Sequence, residues 1–298
     1  MISIIIPTYN NSPVLSKTIG IVLQQTYKNF ELIIVDDAST DNTKSVIKKF
    51  GDKRIHYIKH DKQLGTTQAR LSGINFSSGK YIAFLDDDDW WDRAFLDMHL
   101  ECFKKNKNLD FVICDYVVNN LVIEKHYTVC LEDFYYDFKS NITRRPGPFF
   151  QCSLFTKKFI ASACSYFDNK SEPSEDWDFF INVTCLGPKV GYVPFPLFEW
   201  NFSSQSQSFN YNNEWTAIEY IIMKNKEIFL KYNSKKNLSL QYRRLGSYMF
   251  QLQNTHKYKY YYNLAYQTYP ISCINILYKL LLFAPLCVQK QIIKTNNL

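Results

Sequence analysis

Residues 84–91 read FLDDDDWW, a run of four carboxylates directly after the apolar stretch YIAFL. At an effective dielectric of about 20, two carboxylates ~5 Å apart repel by roughly 3 kcal/mol. A folded chain tolerates such a run when the acids are solvated or when something positive sits among them. Asp36-Asp37 forms a second acidic cluster, again after an apolar run, ELIIV. Mg²⁺ and Mn²⁺ take one or two carboxylates and complete their shell with phosphate oxygens and water. Acids at the end of a buried strand therefore suit a metal–diphosphate site, where the ion cancels repulsion and supports charge on a leaving phosphate. The first strand–helix junction and Asp37 would then hold the nucleoside end, since a carboxylate accepts well from a uracil N–H. Structural roles compete with this reading. Asp92 or a preceding acid can cap the helix RAFLDMHLECF, and Asp36-Asp37 can form a solvated turn. Two such clusters, each after a buried strand, favour chemistry.

The elements that must position these acids are legible as pattern. ISIIIP, ELIIVDD, RIHYIKH, KYIAFLDDDD and LDFVICD have strand character. Between most of them lie helical stretches: VLSKTIGIVLQQ opened by Ser12-Pro13, NTKSVIKKF capped by Asp41 and stopped at Gly51, GTTQARLSGINF, and DRAFLDMHLECF. This alternation within ~115 residues predicts an α/β fold with a mainly parallel, doubly wound sheet, which binds ligands beyond the carboxyl ends of its strands. Residues 116–214 predict a mixed extension of the sheet from YVVNNLVIEKHY, PFFQCSLF, VGYVPF and LFEWNF. One helix, EDWDFFINVTCLG, is expected among them. Helical periodicity dominates from Glu214 onward.

Composition sets the frame. A 46% apolar chain of 298 residues with few Gly and Pro builds a real core. The start, MISIIIPTYN, lacks a basic n-region and predicts a buried strand instead of an export signal. The eight scattered cysteines form no C-x-x-C pair and read as reduced thiols. His56 and His60 have zinc-like spacing, but on a strand they read as surface histidines. Residues 215–298 hold twelve Lys or Arg against two Glu, while the whole chain is only +7, so the front is net acidic.

Several motifs in order, IIIPTYN, QTYKNFELIIVDDASTD, LGTTQAR and SSGKYIAFLDDDDWW, closely resemble the family 2 glycosyltransferases of GT-A fold. The resemblance is strong over residues 1–115 and extends more weakly to about 208. It implies a Rossmann-like GT-A catalytic domain over residues 1–213, with a nucleotide-sugar half at 1–115 and an acceptor half at 116–213. A basic, Tyr-rich helical region at 214–298 follows. It further implies inverting transfer of a hexose or N-acetylhexosamine from a nucleotide sugar, most often UDP-linked, with Mn²⁺ or Mg²⁺ as cofactor. Carried over by motif, Pro7, Tyr9 and Asn10 would border the nucleotide, and Asp37 would meet the base. Arg70 would meet the base or the diphosphate, Asp86 would lie near the ribose, and Asp88 would coordinate the metal. Asp87 would support this donor site and Asp89 would shape or cap its turn. SEDWD matches the family's second acidic motif, giving Asp176 as catalytic base and Glu175 as second choice; on its own it is a helix start capped by Ser174. Trp90, Gln151 and Trp177 are acceptor candidates, as are Cys152 and the RRPGPFF turn.

The chain departs from the family pattern at Gln63 and Leu71, which stand where Asn is frequent. Asn201 and Ser203 occupy the usual Arg and His positions of the segment that retains Ser206 and Ser208. The Q-x-x-R-W motif and long membrane spans of processive synthases are absent, which predicts one sugar per encounter.

In the basic tail, ISCINILYKLLLFAPLCV (271–288) is apolar apart from Lys279 and is broken by Pro285. An interfacial helix beside anionic lipid is the preferred reading; a marginal transmembrane helix, a helical hairpin on the domain and a homodimer contact are the others. No nucleic-acid motif accompanies the Tyr-Lys alternation KYKYYY. A bacterial enzyme extending a lipid-diphosphate-linked saccharide for O-antigen or capsule, cytoplasmic and peripheral at the inner membrane face, would need such a surface. The alternative from another class is a non-catalytic sugar-binding protein on the same scaffold, against which the retention of both Asp88 and Asp176 speaks. A nucleotidyltransferase lacks its Gly-rich phosphate loop here, and a dehydrogenase its G-x-G-x-x-G.

Overall fold

A computed structural model describes residues 1–147, 149–203, 211–231 and 235–284, with the backbone alone at 211 and 212. The chain opens with β1 (Ile2–Thr8), α1 (Ser12–Leu23), β2 (Phe30–Asp36), α2 (Thr43–Lys48), β3 (Ile55–Lys59), α3 (Thr66–Phe76) and β4 (Tyr81–Phe84). The short β5 (Trp90–Trp91) and α4 (Phe95–Lys105) complete this half. Then come β6 (Phe111–Asn120), β7 (Lys125–Val129), α5 (Glu132–Tyr136), α6 (Phe138–Arg144), β8 (Ser153–Thr156), α7 (Lys157–Ala163), α8 (Glu175–Val183) and β9 (Val190–Phe202). Five helices follow: α9 (Tyr211–Lys224), α10 (Lys226–Lys231), α11 (Lys235–Gln251), α12 (Thr255–Thr268) and α13 (Cys273–Leu281).

One mixed sheet runs β3-β2-β1-β4-β8-β6-β9-β5, with β7 paired to the far end of β6. β1 to β4 are mutually parallel, β8 is antiparallel to β4 and β6, and β9 is parallel to β6. β1 and β2 are buried at every position, as expected of a strand covered on both faces. The chain moves outward from β1 through β2 to β3, then returns to place β4 on the other side of β1. The switch point of the sheet therefore lies between the carboxyl ends of β1 and β4.

Helix starts follow local chemistry. Pro13 sits in the first turn of α1, and Leu15, Thr18, Ile19 and Val22 form its buried stripe. Asp41 accepts from Thr43 N at 3.0 Å and Thr43 Oγ1 at 2.5 Å, capping the approach to α2, and from Ser12 N at 3.0 Å beside α1. α3 packs on β1 through Gly73, where a Cβ would stand 2.4 Å from Ile5 Cγ2. Between sheet and helices, Phe84, Phe111, Phe150, Phe155, Phe179 and Phe180 form one ring cluster, with centroid separations such as 5.1 Å for Phe84–Phe150.

The second half carries more helix than its pattern suggests. Besides α8, three helices of five to seven residues, α5, α6 and α7, lie there. Fewer than two turns leave no apolar period to read. VGYVPF and LFEWNF are one strand, β9, whose pairing with β6 shifts register near Asp115. His60 is not a free surface histidine; it lies just past β3, largely covered, with its ring held between Asp37 and Ser72. The described cysteines are free thiols.

The helical region packs onto the sheet domain. Lys224 of α9 pairs with Asp178 of α8 at 2.6 Å and with Asp168 at 2.9 Å, and Gln241 of α11 donates to the carbonyl of Thr143 at 2.8 Å. Of the segment 271–288, residues 273–281 are helix, and residues from 285 lie outside the described part. No described helix is long and apolar enough to cross a membrane.

Candidate active site

The acidic loop leaves the end of β4 and is pinned from three sides. Asp87 accepts from Thr8 Oγ1 at 2.5 Å and from Asn11 Nδ2 at 2.8 Å, joining β4 to the β1–α1 junction across the switch point. Its main-chain carbonyl accepts from Thr18 Oγ1. Asp89 is buried and accepts from the backbone N–H of Asn201 at 2.9 Å, while Asn201 Nδ2 donates to the carbonyl of Asp88 at 3.0 Å. Asp86 takes Arg70 Nη2 at 2.8 Å on one oxygen and the amide of Gln151 on the other. Among the described residues, the side-chain carboxylate of Asp88 alone of the four accepts no hydrogen bond from another residue.

This crowding raises the carboxyls. Burial, opposed by the Thr8 and Asn11 hydrogen bonds and reinforced by Asp88 and Asp86, pushes Asp87 up to about 7. Burial and the charge of Asp86 push Asp88 up to about 6. Burial and the charge of Asp88 hold Asp89 well above the usual range. The loop carries more negative charge than its protein surroundings neutralise.

The second acidic motif meets the first through Arg70. This guanidinium, 2% exposed, reaches Asp86 with Nη2 and Glu175 with Nη1 at 2.5 Å, and lies 5.0 Å from the Phe150 ring centroid. Burial works against its charge, but Asp86 and Glu175 hold it protonated. Asp176 lies in the first turn of α8 beside this pair and, among the described residues, its carboxylate accepts only from the N–H of Trp177, at 2.6 Å. Burial, then the neighbouring Glu175, pushes its carboxyl up to about 8. Glu175 is thus paired with an arginine, whereas the carboxylate of Asp176 has no ion-pair partner among the described residues. That separation favours Asp176 over Glu175 as base.

Most of the other predicted positions are held by contacts within the protein. Arg70 is enclosed as the link between the acidic groups and presents no exposed fork to a base or diphosphate. Asp37 lies at the rim, but its two oxygens accept from Leu64 N and Gly65 N and pair with His60 Nδ1 at 2.7 Å, so it shapes the loop before α3. Pro7 is buried within β1. Tyr9 is exposed on the rim, and Asn10, at φ 52°, holds the β2–α2 loop by accepting from Thr40 N at 2.8 Å. Gln151 is buried and clamps Asp86 instead of facing solvent. Trp177 is no acceptor wall: it is 2% exposed, donates Nε1 to the carbonyl of Ile142 and packs against Phe229. Trp91 is a second anchor, stacked on Phe95 and donating to the carbonyl of Gln151. Trp90 is half-buried and borders a cavity of about 270 Å³ with Pro196, Phe198 and Glu199.

The clamping role of Asn201 is not legible in a motif comparison, which shows only that an asparagine stands where the family has arginine. The signal was a small amide on the strand antiparallel to β5, within reach of loop carbonyls. Ser203 makes contacts within the protein, and Ser206 and Ser208 lie outside the described residues.

No three His, Cys, Asp or Glu side chains among the described residues converge into a ready-made metal cage. The donor set nevertheless fits a hard cation completed by substrate, because Asp88 offers an unpartnered carboxylate among like charges.

Residues 3–162 match the family described as glycosyl transferase family 2. The chain belongs to that family. The WfgD protein of Escherichia coli, a UDP-Glc:alpha-D-GlcNAc-diphosphoundecaprenol beta-1,3-glucosyltransferase, is 39% identical over 127 residues, 42% of this chain and 50% of that protein. TuaG of Bacillus subtilis, a putative teichuronic acid biosynthesis glycosyltransferase, is 37% identical over 103 residues, 34% of this chain and 41% of that protein. The chain thus spans about half the length of the curated relatives it matches. Among solved structures, S. aureus TarS in complex with UDP-GlcNAc superposes with a TM-score of 0.66 at 13% identity, covering 90% of this chain and 81% of that one. The mannosyltransferase PcManGT of Pyrobaculum calidifontis, in complex with GDP-Man and Mn2+, gives 0.60 at 13% identity over 95% and 86%. These likenesses show the fold: it is the GT-A fold with a helical C-terminal region.

Proposed function

We propose that this family 2 glycosyltransferase moves one hexose or N-acetylhexosamine from a UDP-linked donor to a lipid-diphosphate-linked saccharide, with inversion, in bacterial surface polysaccharide synthesis. The observation that carries the proposal is the joining of two acidic motifs, some ninety residues apart in sequence, at the sheet's switch point through the Asp86–Arg70–Glu175 bridge. The curated relative with UDP-Glc and a diphosphoundecaprenol acceptor in its name supports the substrate classes.

In this reading the donor's diphosphate lies over the acidic loop, with the nucleoside toward Tyr9 and Asn10. Asp176 takes the proton of the acceptor hydroxyl as its oxygen bonds to the anomeric carbon. The bond from that carbon to the diphosphate breaks on the opposite face, and the nucleoside diphosphate leaves with the electron pair. A Mn²⁺ or Mg²⁺ ion held by Asp88 and diphosphate oxygens would offset the leaving group's charge. Arg70 fixes Asp86 and Glu175 so that Asp176 keeps its orientation. The protein would work at the cytoplasmic membrane face, reaching the lipid through its basic helical region.

The proposal is tested by incubating the full chain with UDP-glucose, UDP-galactose or UDP-N-acetylglucosamine, Mn²⁺ and a lipid-diphosphate-linked sugar, and following both product and anomeric configuration. A product of inverted configuration from one of these donors is expected. Failure of every UDP-sugar to bind in the presence of Mn²⁺ overturns the donor assignment.

A further inference from the structure

Four arginines meet where α6 ends against α11. Arg145 Nη2 lies 2.8 Å from Asp133, and Arg144 lies 3.5 Å from the same carboxylate. Arg243 reaches only neutral acceptors, Asn275 Oδ1 at 2.9 Å and Ser272 Oγ at 3.5 Å. Arg244 likewise donates to the carbonyl of Arg144 at 3.0 Å and to Gln241 Oε1 at 3.2 Å. Neither Arg243 nor Arg244 has a carboxylate within 4.0 Å among the described residues, though both are half-buried. Burial draws both guanidiniums below their ordinary value, and for Arg244 the charges of Arg243, Arg144 and Arg145 add to this. One aspartate among four guanidiniums leaves three charges uncompensated, and a partly buried cation without a counter-charge is a liability unless a ligand supplies one. Arginine's planar fork matches phosphate oxygens in two-point contacts.

The cluster sits on the acceptor side of the site. Trp177, next to the base Asp176, donates to the carbonyl of Ile142, two residues before Arg144. The phenol of Tyr116 feels the charges of both Arg145 and Asp176. Beyond Arg243, which touches the first turn of α13, that helix turns Ile274, Leu277 and Leu280 to solvent, flanked by Ile271 and Phe283 at 74% and 82% exposure. An anion site that touches a helix with an exposed apolar face fits an anion that carries a hydrocarbon chain.

We infer that Arg144, Arg145, Arg243 and Arg244 bind the diphosphate of the lipid-linked acceptor, with its hydrocarbon lying along the exposed face of α13. This rests on the acceptor class proposed above and adds the place where that acceptor is held. The two are separable, because prenyl diphosphate binding at the arginines is read without any sugar transfer.

The test uses the full chain with the donor site filled by saturating UDP and Mn²⁺, and titrates farnesyl diphosphate, inorganic diphosphate and farnesol. Farnesyl diphosphate is expected to bind at least tenfold more tightly than either of the others. The double variant Arg243→Gln, Arg244→Gln is expected to weaken it at least tenfold while leaving UDP affinity within twofold. Arg144→Gln, whose side chain is half exposed and packs little, is expected to weaken it about threefold; it decides the matter if the double variant fails to fold. Unchanged farnesyl diphosphate affinity in a folded variant overturns the inference. Equal binding of inorganic diphosphate overturns the lipid assignment. Arginine-dependent binding to phosphatidylglycerol vesicles without farnesyl diphosphate binding overturns it in favour of bulk phospholipid headgroups. Failure of UDP itself to bind would count against the donor reading and leave the arginine result standing.

Discussion

Replacing Asp88 with Asn isosterically removes the one carboxylate of the acidic loop that has no hydrogen-bond or ion-pair partner among the described residues. Its carboxyl is raised from the usual 3.8 to about 6, by burial first and by Asp86 second. A folded-state value above the unfolded one means that the ionised group opposes folding. The penalty is full above pH 6 and is lost as pH falls toward 4. At 1.36 kcal/mol per pH unit, the difference is about 3 kcal/mol at pH 8, and screening and relaxation reduce it to about 1–3 kcal/mol. Asp88→Asn is therefore expected to raise the melting temperature of the metal-free protein by roughly 2–8 °C at pH 8. The gain should shrink to about a third of that at pH 4.5. The assay is thermal denaturation in EDTA at both pH values, followed by Mn²⁺ and UDP at pH 8. Wild type should gain stability from the ligands, and Asp88→Asn should lose most of that gain. Equal or lower stability of the variant at pH 8 would refute the reasoning that Asp88 is an uncompensated charge kept for a cation.

Three further outcomes follow from the geometry. Arg70→Ala leaves the buried Glu175 and the partly exposed Asp86 without their shared counter-charge, so urea unfolding should show a loss of about 2–4 kcal/mol. Trp177→Ala should cost a similar ~3–5 kcal/mol of stability, measured by the same titration, because the indole is core and its N–H serves Ile142. With Asp176 raised to about 8 and acting as base, kcat/KM should climb with pH toward that value and level off above it, followed as initial transfer rates from pH 6 to 9. A flat profile there would assign the proton elsewhere.

Much of the front half was legible because its signals are local. Ile4 to Ile6 and Leu32 to Val35 are continuous apolar runs that fit a strand covered on both faces, and Asp36, Asp37 and Asp86 to Asp89 follow directly after such runs. What each acid does was less legible, since it depends on partners remote in sequence. Nothing near Asp37 announces that Leu64, Gly65 and His60 will occupy its oxygens. Trp177 and Trp90 are the same residue type beside acidic motifs, yet the first is filled in by α6 and α10 and the second borders a cavity. Arg70 illustrates the same limit. The LGTTQAR motif leads one to expect it near the base or the diphosphate, but only the fold shows that two carboxylates from different halves close over it.

The most direct measurement of the central claim is single-turnover sugar transfer by Asp176→Asn beside wild type, with UDP affinity measured on the same samples. Loss of a positioned base is worth 10²–10⁴ in rate. Transfer should fall by at least a hundredfold while UDP affinity stays within about twofold. Transfer within tenfold of wild type, with UDP binding intact, would contradict the assignment of Asp176 as the residue that takes the acceptor's proton.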